Sequence, residues 1–148
     1  MIRHLHPLAG GIALAMIVLF WSSTVAAEAL GDGALVARVK TAILWGMVVL
    51  VPAMAVAGAT GFRLAGDARA PRILAKRRRM PVIALNGLCV LLPCAAFLQA
   101  RAATGMFDTT FMAVQALELT AGALNITLMG LSLRDGHALA ASRRSPAA

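Results

Sequence analysis

Long apolar runs broken by short polar punctuation make up almost the whole chain, at residues 8–30, 40–64, 81–102 and 108–133. A helix needs about twenty mainly apolar residues to cross a hydrocarbon core, so each run predicts one membrane-spanning helix. The expected fold is all-α: one transmembrane domain over residues 1–148, built as a bundle of four antiparallel helices.

Polar residues inside these runs fall on stripes. In the fourth run Asp108, Phe111, Gln115, Glu118, Gly122, Asn125, Met129 and Ser132 follow three-and-four spacing, and that side must face protein. Glu118 lies about a third of the way in, where an ionised carboxylate costs several kcal/mol unless it is paired, hydrated or protonated. With Gln115, Asn125 and Asn86 of the third run it forms the expected polar interior, read either as a proton site or as hydrogen-bonding glue between helices. The third run aligns Asn86, Cys89, Pro93 and Phe97 on one face, and Pro93 frees the carbonyl of Cys89, as Pro52 frees that of Val48 in the second. Ala53, Ala57, Gly58 and Gly61 give the second helix a small surface for close packing. LWGMVVLVPAMA and LNGLCVLLPCAA echo one another 41 residues apart, read as an inverted repeat or as chance in leucine- and alanine-rich text.

In the first run His6, Gly10, Ile17, Trp21, Thr24 and Glu28 project within an arc of about 80°. The alternative is a secretory leader ending at Val25-Ala26-Ala27. A leader's apolar core runs about 7 to 15 residues and this one is longer, so the first span is expected to be retained. Glu28 ends that span and Lys40 begins the next, so the pair is expected near the outer surface, as an ion pair or as two side chains reaching for water.

Charge sets the orientation. The connection over residues 62–80 holds Arg63, Arg69, Arg72, Lys76, Arg77, Arg78 and Arg79 against Asp67 alone, while the other two connections are short and nearly balanced. The basic loop is expected in the cytoplasm, with both termini beside it: Arg3 at one end and Arg134, Arg143 and Arg144 at the other agree. The same loop, around Lys76, Arg77, Arg78 and Arg79, suits anionic lipid headgroups.

Composition adds little that the pattern does not contain. Of 148 residues 60% are hydrophobic and 14% charged, which excludes a water-soluble globule. The net charge of +8 is explained by topology, and no folded basic face with stacking aromatics suggests nucleic acid. Cys89 and Cys94 share one apolar run and read as packing residues.

No metalloprotease, phosphate-loop, nucleophile-elbow or haem-attachment motif occurs, so enzyme activity is not expected. Histidine is available only as His4, His6 and His137, all at the cytoplasmic ends. One b-type haem on His6, with His137 or Met129 opposite, is the most that they could ligate. The architecture is similar to that of the cytochrome b561 family, which implies histidine pairs on both sides of the membrane, and this chain has no outer pair. Small multidrug transporters are similar in size and span number, but that likeness implies an essential acid within the first helix, where this chain has Glu28 only at the boundary.

KRRRMPVIALNG and VQALELTAGALNITLMG resemble a family of uncharacterised bacterial inner-membrane proteins with four spans. The resemblance implies a multi-pass protein of the bacterial inner membrane and carries no activity. The leading expectation is an accessory or assembly subunit that packs beside a membrane partner or a second copy, without a cofactor. A proton- or cation-linked small transporter using Glu118 and a single-haem redox protein using His6 are the alternatives.

Overall fold

The computed structural model describes residues 2–65 and 71–142. Helix α1 covers Ile2–Leu30, α2 Gly33–Ala65, α3 Pro71–Asn86, α4 Leu92–Ala103 and α5 Thr109–Ser142; a π-helical turn, Gly87–Leu91, joins α3 to α4 into one span. Four of these helical stretches, His4–Leu30, Gly33–Leu64, Arg77–Ala103 and Thr109–Ala138, are long and apolar enough to cross a membrane.

Two tight turns close one end of the bundle. Gly31, at φ +70°, ends α1 in the left-handed conformation that glycine adopts without strain. Asp32 then caps α2 through a bond from the Ala34 amide to Oδ1 (2.8 Å). Between α4 and α5, Gly105 at φ +71° brings its amide to the Ala102 carbonyl and that of Met106 to the Arg101 carbonyl, a Schellman closure. Asp108 caps α5 by accepting from the Phe111 amide (2.9 Å) and pairs with Arg101 (3.1 Å). Behind these turns Ala27, Val36, Leu98, Ala102 and Phe111 form a buried cluster.

The spans form a ring in which α1 neighbours α2 and α5, and α4 neighbours the same two. A second cluster, Ala13, Ile17 and Leu50, joins α1 to α2 at mid-depth. At Gly46 the ring of Phe20 occupies the space that a Cβ would need. The small stripe expected further along contributes less: Ala57 is buried and Gly61 seats His6, but Gly58 faces open space.

Two boundaries differ from the sequence reading. α2 starts seven residues before Lys40, because Asp32 caps it, and the basic segment is helical rather than a loop from Pro71 onward. Lysine and arginine are good helix formers, so α3 begins with that segment and runs on into the span. Residues 66–70, with Asp67 and Arg69, Arg143 and Arg144, and the side chains of Arg3, Arg72 and Lys76 lie outside the described residues. The proline break in the third span is also placed differently. The Leu92 amide bonds to the Gly87 carbonyl, an i→i−5 step that widens the helix immediately before Pro93.

Candidate functional site

Lys40 and Glu118 form an ion pair inside the bundle. Lys40 stands seven residues into α2, about 10 Å along the axis, and is 1% exposed. Its Nζ donates to Oε2 of Glu118 at 2.5 Å, and Nε2 of Gln115 donates to the same oxygen at 3.2 Å. Glu118, 12% exposed, therefore has a buried cation as partner. Its other oxygen, Oε1, takes no hydrogen bond from the described residues and is not buried.

The expected Glu28–Lys40 pair is thus replaced by Lys40–Glu118. The error came from starting the second span at Lys40; two further turns of helix carry the lysine inside, where only a paired charge is tolerated. Glu28 is half-buried and leaves Oε1 without a partner, as does Gln115. Their level follows from register: Trp21 Nε1 donates to the Leu119 carbonyl (2.9 Å) and its ring lies against Gly122. Seven residues on, α1 brings Glu28 to the depth of residues 112–115 on the antiparallel α5.

The polar interior expected from Glu118, Gln115, Asn125 and Asn86 divides in two. Asn86 Nδ2 donates to the Ala121 carbonyl (2.9 Å) and to Asn125 Oδ1 (2.9 Å), and Asn125 Nδ2 reaches the Ile83 carbonyl (3.4 Å). Asn125 is fully buried. This second set is a satisfied amide clamp between α3 and α5, two turns from the charged set.

Below the charged set, toward the α1 N-terminus and the α5 C-terminus, lies a cavity of about 1150 Å³ between all four spans. Its wall is mostly apolar, with Phe20, Trp21, Met47, Met54 and Met129 among the lining residues. Glu118 lines it, and so do His6 and His137. The Nδ1 of His6 donates to the Ala57 carbonyl (3.0 Å), with Thr60 Oγ1 at 3.2 Å, and the imidazole rests against Gly61. A carbonyl only accepts, so this bond is made by the form of the ring that carries a proton on Nδ1. The three residues considered for haem, His6, His137 and Met129, therefore share one cavity, His137 at an exposed position.

On the basic segment Arg79 pairs with Asp135 of α5 (2.6 Å), while Arg77 and Arg78 are exposed. Cys89 is exposed and Cys94 buried, both as free thiols. Sequence reasoning missed the inward role of Lys40, for which the capping Asp32 was the available signal. It also missed the cavity, whose lining comes from residues that look like ordinary span text. Comparison of the chain with protein-family models, curated proteins and solved structures finds no match, so the buried pair and the cavity carry the functional argument.

Proposed function

We propose that the chain is a multi-pass protein of a bacterial inner membrane that carries a small, largely apolar molecule in its cavity and uses Glu118 as the proton- or cation-exchanging group. The observation that carries this reading is the double engagement of Glu118, held by Lys40 on one side while it lines the cavity on the other. A proton or a ligand arriving from the cavity meets the same carboxylate that Lys40 holds, and that shared engagement can couple occupancy to the packing of the bundle. An accessory subunit that only packs beside a partner or a second copy needs no buried carboxylate on a cavity wall.

The arginines of the α2 C-terminus, the α3 N-terminus and the α5 C-terminus support a cytoplasmic location for that end and for both termini. Exposed Arg77 and Arg78 suit anionic headgroups there. Bonds from His6 to α2 and from Trp21 to α5 support retention of the first span.

The test is the intact mass of protein gently extracted from its native membrane, as wild type and as Glu118→Gln. A bound small molecule on the wild type that the variant loses is expected. A bare chain in both, or a chain carrying only a second polypeptide, returns the accessory reading. Reconstituted in vesicles with a trapped pH dye, the wild type should move protons when that molecule is added, and the variant should not.

A second reading rests on His6, His137 and Met129 sharing the cavity: a single b-type haem with His6 as axial ligand. A Soret band and a pyridine haemochrome spectrum in the purified protein, both lost in His6→Ala, would establish it.

A further inference from the structure

Resting on the reading of the cavity as a ligand site, we infer that its ligand is a neutral, largely apolar molecule bearing one hydroxyl group, phenolic or alcoholic, which donates to Oε1 of Glu118. Three observations select this class.

The first is the state of the carboxylate. Oε2 is saturated by Lys40 and Gln115, while Oε1 accepts nothing from the described residues, remains accessible and belongs to a residue that lines the cavity. A carboxylate oxygen is an acceptor only, so its complement is a donor. The second is charge. Lys40 and Glu118 together are neutral, and a cationic ligand would leave an uncompensated positive charge in a low-dielectric interior. An anionic group at this depth would meet the open oxygen directly; Arg77, the arginine of the lining, stands nine residues before Asn86 on α3, about 14 Å further along the axis. A hydroxyl supplies the missing donor and adds no charge, and a hydrogen bond to an ionised acceptor is among the stronger ones. The third is the wall. Phe20, Trp21, Met47, Leu50 and Met54 surround the volume below Glu118 with rings, thioethers and branched carbon, which suits a hydrocarbon body drawn from the bilayer. Gln115 Nε2 shares Oε2 with Lys40, so both donors act on the same oxygen and Oε1 is left to another donor.

The chain contains two tryptophans, of which Trp21 lines the cavity and Trp45 is 75% exposed on α2. In the Trp45→Phe protein all tryptophan emission therefore reports the cavity. Three probes sharing one bromo-octylbenzene body, whose bromine quenches tryptophan on contact, carry a hydroxyl, a methoxy or a trimethylammonium group. Quenching of Trp45 in the Trp21→Phe protein corrects each probe for its partition into detergent. The hydroxyl probe should bind at least about tenfold more tightly than the methoxy probe, as one hydrogen bond to a charged acceptor requires. The Lys40→Met/Glu118→Met double variant removes both charges together and leaves none orphaned. In it the preference for hydroxyl should fall to about one, with the apolar body still bound. Equal affinity of the hydroxyl and methoxy probes in the unsubstituted site overturns the inference, and so does tightest binding by the trimethylammonium probe. A preference for hydroxyl that survives in the double variant overturns the role of Glu118. Loss of proton movement in vesicles tests the carrier reading separately, and either result can fail without the other.

Discussion

Lys40 reaches Glu118 across the diagonal of the four-span ring, although no Cα of α2 comes within 8 Å of a Cα of α5 among the described residues. Neighbouring helices hold one another by packing. The diagonal pair spans that gap by the length of the lysine side chain and so ties two helices that do not pack on one another.

Removing one member of this pair should be far worse than removing both. Lys40→Met or Glu118→Met should each destabilise the protein by about 3–5 kcal/mol, whereas the double variant should lie close to wild type, because apolar replacement of a whole buried pair is often neutral. Thermal unfolding in detergent of the three variants reads this directly, and additive losses would show that the residues do not act as a pair.

The amide clamp should behave as structure and not as part of the ligand site. Asn125→Leu should cost about 1 kcal/mol, in the range measured for hydrogen bonds between membrane helices. It should leave the preference of the cavity for a hydroxyl probe intact. A cycle with Asn86→Leu should show coupling of similar size, since the two side chains bond one another.

Gly46 tests the α1–α2 contact. Gly46→Leu forces its side chain into the ring of Phe20, and overpacking of this kind costs about 1–3 kcal/mol. Phe20→Ala in the same chain opens that space and should recover much of the loss, which unfolding midpoints of the single and double variants will reveal.

The Arg79–Asp135 pair differs from Lys40–Glu118 in its cation, which is half-buried, while Asp135 is as buried as Glu118. Arg79→Ala orphans that carboxylate and should cost more than the roughly 1 kcal/mol of a surface pair, but less than Lys40→Met, because water can reach the space the arginine leaves. Unfolding in detergent reads the order of the two losses: a change below about 1 kcal/mol would show that Asp135 is hydrated, and one as large as that of Lys40→Met that this end of the bundle is as dry as the middle.

The four spans were legible because apolar length is a direct consequence of bilayer thickness. The stripe on the fourth span was legible for a similar reason, since a helix in lipid shows its polar face only to protein. Lys40 was misread because a charge invites a boundary, while Asp32 and its cap, eight residues earlier, had already set the true one. Glu118 and Asn125 share a face of α5 but bond to different partners, since one helix face can serve two neighbours at different depths. The cavity left no trace in the pattern. Its wall is assembled from apolar residues of four spans, and no residue type encodes the space left between them.

The π turn at Gly87–Leu91 also gives the third span two reading frames. Such a turn is a one-residue insertion that the helix absorbs while keeping its direction. Upstream of it Asn86 is phased to meet Asn125; downstream Cys94, Leu98 and Ala102 are phased for the core. Deleting one residue among 87–91 would restore an ordinary helix and leave composition and hydropathy almost unchanged. It would also turn one half of the span by about 100° against the other, so the chain could keep its amide clamp or its core but not both.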